Sequence, residues 1–490
     1  VASDDDLAKC LHDPDAEVRE AALNALLDRG LSANQVSLAR RLTEGRKRQQ
    51  RENRGRDAED PATGATRKDG GELPLEEGRA SLECLSSTQD DLAQSSVSAA
   101  SIHRDLNVRV SGAFPHADGS GFRWGLGVAP FVRLGSSVIF DPRTFTFPDF
   151  KSVEARAYQD GARISSNSWG SPVNGAYNID AQAYDALVRD AQPSLAPITT
   201  AGNQEQVIIF SAGNGAVSGS IGSPGSAKNV ITVGAAESVN TIGGTDACNI
   251  ADDQANNAND IASFSSRGPT LDGRRKPDLV APGTHITGGV PQAANPDVFG
   301  TAADCYNSAA FGISICGGPG GGKYYPSSQQ FYTASSGTSH AAPVVAGAAA
   351  LVRQRFINAG LNAPSPALTK AVLMNTARYL TGGNVSDSLW SFNQGMGEVN
   401  LTSFFSLFGQ PTVLRDQRAE DTFTASGQVR TFTGTIADAA QPTRVTLAWT
   451  DAPGSIVGSA FVNNLDLEVT LNGQTYKGNV FSGATSQTGG

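Results

Sequence analysis

A serine that acts as a nucleophile needs a base to take its proton, a group to orient that base, and donors for the oxyanion it creates. One serine stands in a suitable setting, in Gly337-Thr338-Ser339-His340-Ala341-Ala342-Pro343, which runs directly into the apolar stretch 344–352. From Ala341 to Val352 there is no charged residue, and a helix apolar all round is a core helix. A hydroxyl near its start faces unpaired N–H groups and the positive end of the helix dipole, both of which favour an oxyanion forming nearby. Pro343 is placed in the first turn, where a missing N–H costs nothing. A capping serine on a core helix is the other reading of the same residues.

The oxyanion donor is sought at the carboxyl end of a strand, where functional groups collect in open α/β sheets. Val207-Ile208-Ile209-Phe210 leads into Ser211-Ala212-Gly213-Asn214-Gly215, which puts the Asn214 amide at a strand tip. Asn203 shares the Ala-Gly-Asn tripeptide but follows a poorer strand, Pro197-Ile198-Thr199-Thr200, so Asn214 is preferred; a plain turn asparagine is the alternative. The base is harder to place. Of the five histidines, His12 lies in a helical segment and His285 follows a Pro-Gly turn. His340 neighbours Ser339 on the same helix and so projects about 100° away from it. His103 and His116 remain.

These groups need a scaffold, and from about residue 131 the chain reads as alternating strands and helices. Strands are expected at 131–140, 162–166, 207–210 and 230–233. Helices are expected at 153–159, 179–191, 341–356 and 367–377. Strands apolar throughout argue for a parallel sheet covered on both faces, an α/β fold. From about Gln410 only strands follow: 443–449 and 466–471 alternate, and Asn472-Gly473 supplies a hairpin turn into Gln474-Thr475-Tyr476. That texture is an all-β sandwich or jelly roll.

The 490 residues carry 38 basic and 48 acidic side chains, a net charge of −10. An acidic balance argues against a nucleic-acid partner, and no apolar run has the length of a membrane span. The opening Val1-Ala2-Ser3-Asp4-Asp5-Asp6 lacks the basic and then apolar start of a secretory signal. Five scattered cysteines do not make a disulfide scaffold, although Cys305 and Cys316 flank one Gly/Ser-rich loop and could pair in an oxidising compartment. Residues 4–43 read as short helices, and Leu11-His12-Asp13-Pro14-Asp15-Ala16-Glu17-Val18-Arg19 resembles one unit of a HEAT-type repeat without a second copy. Residues 44–80 are charged and without aromatics, as in a disordered linker.

The longer pattern Gly-Thr-Ser-x-Ala-x-Pro, running into Ala346-Gly347, resembles the nucleophile motif of the subtilisin-like serine peptidases. Other segments are similar to that family in the same order. Ile164-Ser165-Ser166-Asn167-Ser168-Trp169-Gly170 resembles its substrate-binding edge strand, and Ser223-Pro224-Gly225 the wall of its specificity pocket. Ser265-Ser266-Arg267-Gly268-Pro269, Lys276-Pro277-Asp278-Leu279-Val280-Ala281-Pro282-Gly283 and Asn393-Gln394-Gly395-Met396-Gly397-Glu398-Val399-Asn400 also match. The resemblance covers roughly residues 120–480 and is nearest to members with a C-terminal β-domain. It implies a subtilisin-like parallel sheet and a peptidase domain over 81–408, with a β-sandwich over 409–490.

For function, the resemblance implies acyl transfer on peptide bonds. Ser339 is the nucleophile, Asn214 the oxyanion donor, and Ser168, Trp169, Gly170, Ser223, Pro224 and Gly225 bind the polypeptide substrate. No cofactor or catalytic metal is expected, though structural calcium occurs in such proteins; the implied compartment is extracellular. The family's Asp-Thr-Gly and His-Gly-Thr motifs are absent, and residues 80–112 hold no continuous apolar strand. Two alternatives therefore stand beside the peptidase: a non-catalytic peptide binder, and an interaction protein working through its helical N-terminus. A sheet lacking its Asp-bearing strand has open edges, so self-association is expected.

Overall fold

The computed structural model describes residues 127–137, 139, 149–194, 196–239, 255–289, 332–385 and 387–489. The segments 1–43 and 44–80, the stretch 80–112, His12, His103, His116 and all five cysteines lie outside the described residues.

The frame is a four-stranded parallel sheet in the order β1 (Ile164–Asn167), β2 (Val207–Ser211), β3 (Ile231–Ala236), β4 (Leu279–Pro282). Every residue of β2 and β3 is buried, and the alternation within β2 shows why both strands read as continuous apolar runs. Val207 and Ile209 face one core with Ile231, Val233 and Leu279. Ile208 and Phe210 face the opposite core with Tyr184, Leu187 and Val188. The second core is covered by α1 (Phe150–Gln159) and α2 (Ile179–Arg189), whose rings lock together: Phe150 lies 5.1 Å from both Trp169 and Tyr184. The first is covered by α3 (Thr338–Asn358), α4 (Pro366–Asn375) and α5 (Leu401–Leu407).

Four of these helices start on a side-chain cap. Asp149, Asn178, Ser365 and Asn400 each accept a first-turn backbone N–H, satisfying donors that would otherwise be orphaned. The exception is α3, whose N-cap is Gly337 with no side-chain cap bond. Ser339 is therefore the second residue inside α3, not its cap, and the capping alternative does not apply. Pro343 is the sixth helical residue, one turn later than expected. Gly347 does allow a close approach: a Cβ there would come within 2.8 Å of Val128 Cβ.

Below the sheet, Asp278 is fully buried between two lysines, with Lys276 Nζ at 2.6 Å and Lys370 Nζ at 2.9 Å. Burial alone would raise its pKa; the two ammonium groups win and hold the carboxyl below its usual range. Asp278 also accepts from Thr232 N at 2.8 Å, tying β4 to β3.

A two-stranded antiparallel pair, β5 (Ile286–Gly289) and β6 (Tyr332–Ser335), feeds into α3. The C-terminal antiparallel sheet is present as β7 (Glu468–Leu471), β8 (Gln474–Ser482) and β9 (Thr485–Thr488), with Asn472 and Gly473 both at positive φ in the expected hairpin turn. Two expected strands do not form. Residues 132–137 make no strand, and Phe131 is 83% exposed. Residues 443–449 run without a ladder partner, leaving Val445, Leu447 and Trp449 exposed. Alternation specifies a strand face, but a ladder also needs a neighbour.

Candidate active site

β2 ends at Ser211, and the chain turns through Ala212 and Gly213 to Asn214. Gly213 sits at φ 106°, and a Cβ there would meet Ser266 Oγ at 2.9 Å, so the turn accepts only glycine without strain. Asn214 then reaches the start of α3. Its Oδ1 accepts from both the backbone N and the Oγ1 of Thr338, each at 2.9 Å. A backbone N–H only donates, so the carboxamide oxygen must be the atom facing it. The Nδ2 is thereby left to donate beside the turn carrying Ser339, 3.6 Å from where a Cβ on Gly337 would stand. Asn203 is exposed in a separate turn; Asn214 is the asparagine brought to the serine.

A second link fastens Ser339 to the edge strand. Proline has no N–H, so Pro343 cannot donate to the Ser339 carbonyl four residues earlier. Ser168 Oγ supplies that bond instead, at 2.8 Å, and Ser339 Oγ lies 3.4 Å from the Ser168 carbonyl. On the other side Gly337 N donates to Gly283 O at 2.8 Å. A Cβ on Gly283 would press within 2.7 Å of Ala235 Cβ, so Gly283 lets this loop lie flat on β3.

The proposed cleft walls are joined directly. Ser171 N donates to Ser223 O at 2.8 Å and Ser223 N to Ser171 O at 3.0 Å. Gly170 is exposed, and a Cβ on it would meet Ser223 O at 2.8 Å. Gly225 would bring a Cβ to 3.0 Å from Ser211 O, and its carbonyl accepts from Thr232 Oγ1 at 2.6 Å. The structure thus brings Ser168, Gly170, Ser223, Pro224, Gly225, Asn214 and Ser339 to one end of the sheet. Trp169 differs: its ring packs inward, 5.3 Å from the Phe210 ring, leaving only its backbone on the edge.

His340 is only 3% exposed, and burial pushes its imidazole down to about 4, so it is neutral at physiological pH. Its Nδ1 has no hydrogen-bond partner among the described residues. His285 donates its backbone N–H to Ser336 Oγ at 2.9 Å. Behind the edge strand lies a buried carboxyl that no sequence pattern marks. Glu154 accepts from Ser165 Oγ at 2.8 Å, Ser165 Oγ accepts from Asn167 Nδ2 at 2.8 Å, and Asn167 Oδ1 accepts from Trp169 Nε1 at 3.1 Å. Burial raises Glu154 to about 7, against a smaller lowering by the Ser165 hydroxyl. Among the described residues no group of three or more His, Cys, Asp or Glu side chains is placed to hold a metal ion, and no helix is long and apolar enough to cross a membrane.

The sequence pattern of the Subtilase family matches residues 88–397, well over half of the 490 residues. This chain belongs to the subtilase family. The subtilase match begins upstream of residue 120, where the recognisable motifs start, and so includes the stretch holding His103 and His116. Among curated subtilase relatives, the serine protease/ABC transporter B family protein tagA of Dictyostelium discoideum is 33% identical over 219 residues, covering 42% of this chain and 11% of that protein. Serine protease AprX of Bacillus subtilis is 34% identical over 179 residues, covering 36% of this chain and 32% of that protein. The chain thus spans a third or less of the length of these relatives. Fervidolysin from Fervidobacterium pennivorans, a keratinolytic enzyme related to subtilisin, aligns with a TM-score of 0.32 at 25% identity, over 52% of this chain and 28% of that one.

Proposed function

We propose that this subtilase is a serine-type endopeptidase that cleaves polypeptides through an acyl-enzyme on Ser339. The observation that carries this reading is the Asn214 carboxamide, fixed by Thr338 at its oxygen so that its Nδ2 is left to donate beside Ser339. An extended peptide adds along the backbone of 168–170, where Gly170 is exposed, with the side chain before the scissile bond entering beside 223–225. Ser339 Oγ attacks the carbonyl carbon and gives up its proton; the carbonyl oxygen becomes an oxyanion held by Asn214 Nδ2 and the first turn of α3. Collapse of the intermediate breaks the C–N bond, the leaving amine takes the proton, and water then hydrolyses the ester. The step calls for no cofactor. His103 and His116 are the candidates for the base, and the extracellular space is the compartment this reading implies.

A non-catalytic peptide binder is the second reading, favoured by the absence of the family's Asp-Thr-Gly and His-Gly-Thr motifs from the sequence. Hydrolysis of an unfolded protein substrate separates the two. Ser339→Ala should abolish the activity sensitive to serine reagents. Asn214→Ala should lower kcat by about 10²–10³, the loss that subtilisin itself shows when its oxyanion asparagine is removed. Wild-type protein that binds the substrate without cleaving it would establish the binder; cleavage untouched in Ser339→Ala would place the chemistry elsewhere.

A further inference from the structure

One loop of the C-terminal segment is anchored to the residues that lead into β3, behind the proposed pocket wall. Asp451 is 3% exposed, and its carboxylate is saturated with donors. Oδ2 accepts from Lys228 Nζ at 2.7 Å and Val462 N at 2.8 Å. Oδ1 accepts from Ala452 N at 3.0 Å, Asn463 N at 3.1 Å and Asn463 Nδ2 at 2.8 Å. The backbone of Asp451 is read just as closely by one side chain: its N donates to Asn229 Oδ1 at 2.9 Å, and its carbonyl accepts from Asn229 Nδ2 at 2.8 Å. A residue whose N–H and C=O are both paired with one carboxamide is fixed in position and orientation.

From Asn229 the contacts run to the wall by two routes. Lys228 and Asn229 are continuous in sequence with Ser223-Pro224-Gly225. Asn229 N also donates to Asp185 Oδ1 at 2.7 Å, and Asp185 Oδ2 accepts from Tyr177 Oη at 2.7 Å. Tyr177 in turn accepts from Gly454 N at 3.2 Å. Its neighbours grip the wall: the Ala176 carbonyl accepts from Ser226 Oγ at 2.7 Å, and Asn178 Oδ1 accepts from Ser223 Oγ at 2.5 Å. Ala460, fully buried, completes the core around Tyr177 and Val230.

We propose that Asp451, with Asn229 as its receptor, is a positioning residue for substrate selection: the C-terminal loop sets where Ser223-Pro224-Gly225 stands, and hence which side chain fits beside it. This rests on the peptidase reading above. Asp451 touches no reacting atom, so its loss should alter the discrimination between substrates while sparing the reactivity of Ser339.

The test uses the full chain with two kinds of serine-directed probe. A plain alkyl fluorophosphonate has no amino-acid side chain and reports Ser339 alone. A panel of peptidyl diphenyl phosphonates, varied in the residue preceding the phosphorus, reports the pocket. Asp451→Ala should leave the alkyl probe's rate within about twofold, slow the best peptidyl probe about tenfold, and compress the ratio between best and worst peptidyl probes. Asp451→Asn, which keeps the shape and one accepting oxygen, should fall between. If Asp451→Ala fails to fold, the Asp451→Asn ratio decides. A purely structural role would lower thermal stability and slow every probe in the same proportion; an unchanged selectivity ratio overturns the proposal. A wild-type chain that reacts with neither kind of probe overturns the peptidase reading itself, and this proposal with it.

Discussion

Glu154 and His340 are buried titratable groups in opposite situations, one on each side of the site. His340 falls from 6.5 to about 4, so the unfolded chain binds more protons than the folded one between those values. Its contribution is complete above 6.5 and is lost as pH falls toward 4, by about 3 kcal/mol at 1.36 kcal/mol per pKa unit. Glu154 rises from 4.5 to about 7; here the folded chain binds more protons, and stability falls by a similar amount, about 3 kcal/mol, as pH climbs through that window. The two slopes oppose each other in the wild type. Relative to the wild type, urea melts of Glu154→Gln should therefore show stability changing more positively with pH from 4.5 to 6.5, and those of His340→Gln more negatively. Single variants that both track the wild type would refute these assignments.

The junction of α3 with β1 turns on Pro343, whose missing N–H makes Ser168 the donor to the Ser339 carbonyl. Ser168→Ala should remove this donor from the Ser339 carbonyl and cost about 0.5–1.5 kcal/mol. Pro343→Ala placed in the same background should recover part of the loss, since the helix can then supply its own N–H. A double-mutant cycle on urea stability measures this, and strict additivity would contradict it. The sequence makes the sheet legible because a strand buried on both faces must be apolar at every position, as 207–210 is. It makes α3 legible because its run from Ala341 to Val352 carries no charge. The start of α3 lies a turn earlier than Pro343 suggests, for a physical reason: its first N–H is satisfied by Asn214, 124 residues away, so no local cap marks it. The expected strands do not form over 131–137 and 443–449 for the converse reason, since their patterns are right and their partners are not fixed by any local signal. The Asp451 loop leaves no trace in the sequence because its partners, Lys228 and Asn229, are specified only by the fold.

For the whole molecule, charge and apolar exposure pull in opposite directions. A net charge of −10 favours dispersion. Against it, the C-terminal segment exposes Val429, Phe432, Val445, Leu447, Phe461 and Val462, and apolar surface on that scale promotes association. Sedimentation at rising concentration should show self-association, unchanged when residues 1–79 are removed because the apolar surface lies elsewhere. A monodisperse monomer of the full chain would contradict this. The proposed nucleophilic role of Ser339 depends on one property of the fold: Asn214, latched to Thr338, stands at the start of α3 beside it. It is tested most directly by treating the full chain with an alkyl fluorophosphonate and mapping the adduct by peptide mass spectrometry. A single adduct on Ser339 is expected, absent in Ser339→Ala and strongly slowed in Asn214→Ala; a folded chain with no adduct, or with one on another serine, would contradict it.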